Sequence, residues 1–439
     1  MNLEAIKKRG ASILLQFAIP CIIGMLLTAA ITLVDGYFIG NYIGKEGTAA
    51  VNFGLPLTYL YLGIGIMIGV GGIVLAGIAY GAGNIERCNQ VFRQTIALTA
   101  MITFGLTAIV AIIFIPATGL LRMDAVTLKH FRNYYFIMIF VFPIMIINNN
   151  YSMFMRGEGK PQVGMSISIL SLVLNVVLDA VTVRVFHFGI TGVALSSLLS
   201  VVICFIVSTL FFVKSSAVYH FGTVKFVKED VRNILLNGSS EFIGELSMSI
   251  TMGAYNSIVL KCAGVDGVAA FAVVGYISYI FSMFIIGIGQ GMSPLVSFTF
   301  GAKEIPTSKR LRSIATIYSI IAGGITFLVL LFGKDGYSHL FVKDPSVVTI
   351  VLSGITIFSI SFLIEGINAI ASFYFTSIGH AKESAVISAA RGLVILLIAL
   401  FILPKLFGMT GVWLVAPVTE GLTLLISFAY YAKERSLAV

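Results

Sequence analysis

The 439-residue sequence predicts an all-α polytopic membrane protein: twelve transmembrane helices in two six-helix lobes, related by a pseudo-twofold axis along the membrane normal. Four observations lead there. The chain is 58% hydrophobic and 11% charged, with a mean hydropathy of +1.02, where soluble domains carry about 25% charged residues. Its apolar runs are about 20 residues or longer, enough to cross a hydrocarbon layer of about 30 Å. The alternating ten-residue segments of a transmembrane barrel do not occur, which leaves helices as the elements able to satisfy their own backbone in lipid. Finally, the chain resembles itself at an offset of 220 residues.

The first span covers roughly 11–40. It follows the basic start MNLEAIKKRG, which has the look of a signal-peptide n-region. The apolar run from Ala11 to Ile39 is too long for one, and many more spans follow, so it reads as the first membrane helix. Near its far end, in AITLVDGYFIGNYIG, it holds Asp35. Spans two to six take up 50–80, 91–116, 132–155, 161–184 and 190–213. The polar connector 214–232, with VKFVKEDVRN, is the natural joint between an amino-terminal lobe at 1–213 and a carboxy-terminal lobe at 233–439. Spans seven to twelve then run through 233–260, 268–300, 311–333, 347–376, 382–403 and 410–432. Several exceed 25 residues, which implies tilt. The glycine-rich stretches Gly63–Gly72 and Gly287–Gly301 suit close helix packing, and Pro294 should kink span eight.

The repeat aligns Gly47, Ala49 and Ala50 with Gly267, Ala269 and Ala270. It also aligns Gly69 and Gly71 with Gly289 and Gly291, Gly81-Ala82 with Gly301-Ala302, and Asn148 with Asn368. Six spans per copy give both copies the same orientation, with a cavity expected between them. An even span count puts both termini on one side. Loops on that side hold 18 Lys and Arg residues and the opposite loops 9, with Arg391 inside span eleven. The positive-inside rule places both termini in the cytoplasm, and the location expected is the plasma membrane, a bacterial inner membrane.

The net charge of +9 sits in these loops and does not indicate nucleic acid. Cys21, Cys88, Cys204 and Cys262 are scattered, with no CxxC pair. Neither a Walker motif nor HExxH nor GxSxG occurs. The expectation is a transporter, not an enzyme, with no cofactor and no direct drive by ATP.

Twelve of the 19 acidic residues fall in loops or tails and one, Glu383, at the mouth of span eleven; six lie deeper inside spans: Asp35, Asp179, Glu241, Glu245, Glu365 and Glu420. A carboxylate there costs about 2.5–3.5 kcal/mol even on the lenient insertion scale, so each needs a reason. Asn175 and Asp179 are four apart and share a helix face; Ser197 can turn towards them. With Asp35 they make a candidate cation-coupling site in the amino lobe, for a proton or for Na⁺ as the metal ion. The alternative is an Asp179 that only caps its helix end. Glu241 and Glu245 share a face of span seven, and Glu365 lies one turn before Asn368. These four form a second candidate site in the carboxyl lobe. For Arg391 and Glu420 the simpler reading is a buried architectural pair, which Glu365 could join.

At these residues the chain resembles the MATE (multidrug and toxic compound extrusion) family over nearly its whole length. The resemblance rests on Pro20, Asp35 and Gly40 in span one and on Asn175-x-x-x-Asp179 in span five. Ser197 stands where a Thr is frequent, and Glu245 and Glu365 stand at the acidic positions of spans seven and ten. ELSMSITMGAYN is similar to the branch near DinF and MepA; Ile31 departs from the Tyr of some members. The resemblance implies a monomeric antiporter among membrane lipids. It would export cationic and amphiphilic small molecules in exchange for inward H⁺ or Na⁺, with Asp35, Asn175 and Asp179 as the Na⁺ ligands if Na⁺ is the ion. The runner-up is a flippase for a lipid-linked or polysaccharide precursor. Its anionic cargo would want cavity Arg and Lys, and the spans supply only Arg391. An intramembrane enzyme would need a metal or nucleophile cluster that the spans lack.

Overall fold

The computed structural model describes residues 1–436, with the side chains of Leu340, Arg435 and Ser436 excepted. Residues 437–439, the end of the predicted carboxyl lobe, lie outside the described residues. Every regular element described is helical. In the amino half these are α1 (Leu3–Tyr42), the short α2 (Lys45–Phe53), α3 (Leu55–Gly81), α4 (Ile85–Gly119), α5 (Ala125–Gly157), α6 (Pro161–Asp179) and α7 (Gly189–Lys214). A short amphipathic α8 (Lys228–Asn237) leads into α9 (Ser239–Gly301), α10 (Ile305–Phe341), α11 (Pro345–Ser359), α12 (Phe362–Ser377), α13 (Ala381–Ala389) and α14 (Ile395–Ser436). Two π-helical segments interrupt the pattern, Ala180–Val185 after α6 and Ala390–Val394 before α14.

Starts and stops follow local chemistry. Asn2, Asn84, Asp124 and Asp344 accept hydrogen bonds from backbone N–H groups of the first turns of α1, α4, α5 and α11, the usual remedy for unpaired N-terminal donors. Helix α9 has 63 residues, about 95 Å at 1.5 Å per residue, three times the hydrocarbon thickness. It is broken at Gly264, whose φ of +63° suits a residue without Cβ. Gly408, at φ +57°, breaks α14 in the same way. Nine described helices are long and apolar enough to cross a membrane. They become ten when α11 and α12, bent by 47° at their junction, count as one span. The chain is a multi-pass membrane protein.

The two halves meet where α3 crosses the second part of α9. A Cβ on Gly81 would lie 1.9 Å from the Phe298 carbonyl oxygen, and one on Gly301 would lie 2.1 Å from that of Ile78. Ile78 and Phe298, like Gly81 and Gly301, are repeat mates, so one contact is made twice about a twofold. Gly291 likewise leaves room for the backbone of α1 at Ala18, and Gly71 for that of α8 at Ile234. These approaches lie in the half of the bundle nearer the chain termini. There Lys7 pairs with Glu304 at 2.5 Å, Arg310 donates to the Lys7 carbonyl, and Arg312 reaches Glu434 at 2.9 Å. Hydrogen bonding to Glu304 raises the Lys7 amine above its ordinary range, so on the alkaline side the pair persists until pH climbs through that raised value.

Candidate functional site

Asp35 projects from the outer half of α1. Asn175 and Asp179 sit one turn apart at the end of α6, 2% and 0% exposed. The Asp35 carboxyl stands close to both, without a hydrogen bond to either. Directly after Asp179 the chain widens into the first π-helical segment, a form concentrated at functional sites. The Ser196 hydroxyl stands near Asp179 but donates to the Gly192 carbonyl at 2.9 Å and meets the Thr182 hydroxyl at 2.8 Å. Ser197, the residue singled out by sequence, lies next to it on α7 and is 9% exposed. Tyr134 of α5 stands within electrostatic reach of Asp35 and Asp179.

What sets this cluster apart is what it lacks. One Asp35 oxygen, the Asn175 carbonyl oxygen and both Asp179 oxygens are buried without a hydrogen-bond partner among the described residues. Each such acceptor costs about 1–3 kcal/mol, more when charged. No arginine relieves them: Arg184 instead lies over the rings of Phe38 and Tyr42, at 5.7 and 5.3 Å. Four unpartnered acceptor oxygens on three neighbouring side chains could hold a small cation. A proton shared between the two carboxyls, or a metal ion with oxygen ligands, fits them.

The carboxyl lobe is arranged differently. Arg391, in the second π-helical segment, donates to Glu420 through Nε at 3.1 Å and Nη2 at 2.8 Å, and stands 3.3 Å from Glu365. Asn368 donates to the other Glu420 oxygen at 2.7 Å and accepts from Ser427. Ser282 donates to Glu365 at 2.8 Å. Here the charges are compensated internally. Of the second candidate set, Glu365 and Asn368 belong to this network. Glu241 and Glu245 are close to each other but make no ion pair with a described residue. Glu245 packs against Gly63 of α3, where an added Cβ would sit 3.3 Å from its own. It is near Tyr59 of α3 and Tyr279 of α9, which are repeat mates.

One assignment changes. Arg156, placed by sequence in a loop past span four, belongs to the last turn of α5 and lines the space between the halves. Arg391 is therefore not the only cation within the bundle. Sequence carried no sign of Tyr134, one aromatic among many in NYYFIMIF. Extending span four by two residues would have captured Arg156.

The sequence model of the MatE family matches residues 20–181 and again 241–402, one copy on each side of the connector. The multidrug export protein MepA of Staphylococcus haemolyticus is 24% identical over 433 residues, 97% of this chain and 94% of that protein. MepA of Staphylococcus aureus is 25% identical over 436 residues, 96% of this chain and 94% of that protein. Among solved structures, a multidrug resistance MATE family transporter of the MOP superfamily in an outward-facing conformation superimposes with a TM-score of 0.90 at 21% identity, covering 97% of this chain and 96% of that one. A MOP superfamily transporter from Pyrococcus furiosus gives 0.90 at 20% identity over the same shares.

Proposed function

The chain belongs to the MatE family of membrane transporters, and on that premise we propose that it is a multidrug efflux protein, exporting cationic and amphiphilic small molecules in exchange for an inward-moving H⁺ or Na⁺. Kinship with the staphylococcal MepA proteins supports the cargo class. The observation that carries the coupling is the cluster of four unpartnered acceptor oxygens on Asp35, Asn175 and Asp179. A cation arriving from outside satisfies them, and its departure leaves them costly again. The lobes thus have a reason to rearrange with each ion. One charge moved across 100 mV is worth about 2.3 kcal/mol, comparable with relieving one or two such acceptors.

Twelve crossings follow if the breaks at Gly264 and Gly408 turn α9 and α14 back through the membrane. The positive-inside bias then puts both termini in the cytoplasm. The interlobal contacts cluster at the termini-bearing end, so the conformation is closed towards the cytoplasm. Cargo binds between the halves, where Glu245 with Tyr59 and Tyr279 offers a carboxylate and two aromatic faces to an organic cation. A flippase for a polyanionic precursor would want several cavity cations, and among the described residues only Arg156 is placed to serve.

Ethidium efflux from proteoliposomes, driven separately by a proton and by a sodium gradient, tests the reading. Transport under one gradient and not the other names the ion. Equal efflux with no gradient at all would sink the coupling.

A further inference from the structure

Two cavities in the half of the bundle nearer the chain termini share one side chain from each lobe, Arg156 of α5 and Gln290 of α9. One holds about 40 Å³ and is also lined by Asn149, Ser152, Thr28 and Ser168. The other holds about 20 Å³ and is walled by Val70, Ile73, Met153 and Phe373. Cavities of this size take a single polar group or a few waters rather than a whole ligand. A polar compartment and an apolar one thus meet at a guanidinium.

That guanidinium is short of partners. Arginine carries five N–H donors. Among the described residues Arg156 makes a single hydrogen bond, from Nη1 to the Ser152 Oγ at 3.3 Å, and no carboxylate pairs with it. Its sequence neighbour Glu158 is committed elsewhere, accepting from the Ser216 hydroxyl and the Ala217 N–H and pairing with Lys160. The side-chain amides of Asn149 and Gln290 have no hydrogen bond to a described residue either. A half-buried cation beside two free amides is the reverse of the acceptor-only cluster at Asp35. It calls for a group that only accepts, such as a carboxylate, phosphate or sulfonate, which Arg binds in a fork.

We propose that Arg156, with Asn149 and Gln290, is an anion subsite that holds the carboxylate of zwitterionic amphiphilic cargo, whose cationic end lies towards Glu245. The proposal rests on the efflux reading above and narrows its cargo. Along α3, Glu245 packs at Gly63 while Val70 and Ile73 wall the cavity. Seven to ten residues separate those levels, about 10–15 Å at 1.5 Å per residue, the length of a drug-sized molecule charged at both ends. Because Gln290 comes from the opposite lobe, the grip is complete only while the lobes are closed at this end.

The test compares two dyes that differ in one group: tetramethylrhodamine with a free carboxylate, and its methyl ester, which keeps the cationic ring system alone. Binding to the purified full chain in phosphatidylcholine nanodiscs is read by fluorescence anisotropy. The unmodified protein should bind the acid at least tenfold more tightly than the ester. Arg156→Gln should weaken the acid at least tenfold and shift the ester by less than twofold, with Arg156→Lys in between. The unchanged ester reports an intact fold. Should Arg156→Gln not fold, Gln290→Leu carries the test with a severalfold loss for the acid only. Equal binding of acid and ester overturns this inference alone. Failure of the unmodified protein to bind either dye overturns the multidrug reading with it. Displacement of the acid by phosphatidylglycerol through Arg156 would give the site to a lipid headgroup and overturn the cargo assignment.

Discussion

Asp179 leaves both carboxylate oxygens without a partner, whereas both oxygens of Glu420 are bonded, one to Arg391 and one to Asn368. The two clusters, Asp35 with Asp179 and Arg391 with Glu420, should therefore answer to mutation in opposite ways. Asp35→Asn removes a charge that nothing nearby compensates, so the fold loses nothing by it. Its melting temperature in detergent should be unchanged or higher, while gradient-driven ethidium efflux should fall to the protein-free level. Full efflux by that variant would end the coupling proposal. Arg391→Ala strands Glu420 and Glu365 beside each other. Breaking a buried pair from one side costs about 3–5 kcal/mol, and unfolding in detergent should show a loss of that order. Arg391→Met with Glu420→Gln should recover most of it, because removing both partners of a buried pair is often nearly neutral. No recovery would mean that Arg391 serves something other than its two glutamates.

At the level of helices, the long elements could be read from sequence, because apolar length alone dictates them. So could the amino-lobe cluster, because Asn175 and Asp179 share a face at any helical register and Asp35 stands alone in its span. Finer features depended on rotation and on helix ends, which apolar patterning does not encode. Ser196 rather than Ser197 is a matter of about 100° around α7, and Arg156 is a matter of where α5 stops. The π-helical segments left no mark in composition. The glycines could be picked out but not sorted, since only coordinates separate those at crossings from those facing open space. That sorting has a measurable sign. Gly301→Ala sets a Cβ 2.1 Å from the Ile78 carbonyl oxygen, and backbone cannot step aside. Overpacking of this kind costs about 1–3 kcal/mol. Gly333→Ala, in α10 with nothing within 4 Å, should instead stabilise by up to about 1 kcal/mol through helix propensity. The two variants should move the melting temperature in opposite directions. A matching gain at both sites would mean that α3 and α9 do not cross as described.

For the whole molecule, transport by alternating access requires the termini-bearing end to open, since the contacts between halves are concentrated there. Helix α1 is held to the opposite lobe at its start: Lys7 meets Glu304, Arg310 reaches the Lys7 carbonyl, and Tyr318 bonds the Ala11 carbonyl. The contacts of Lys7 lie outside the spans and that of Tyr318 is at their termini-bearing ends, so each is weak and reversible; exposed ion pairs contribute up to about 1 kcal/mol. The latch can hold a closed state without trapping it. A covalent link at the same place should trap it. Cysteines replacing Lys7 and Glu304, in a background where the exposed Cys262 is changed to Ser, should be bridged by a short reducible crosslinker. Ethidium efflux should then stop, and reductant should restore it, while ligand binding from the far side continues. Lys7→Ala alone should leave folding intact and shift the balance towards the open state, seen as faster alkylation of a cysteine placed at Ala18, which the crossing with Gly291 otherwise covers. Undiminished efflux by the crosslinked protein would show that the lobes do not part at this end, and the cycle would need another route for cargo to enter.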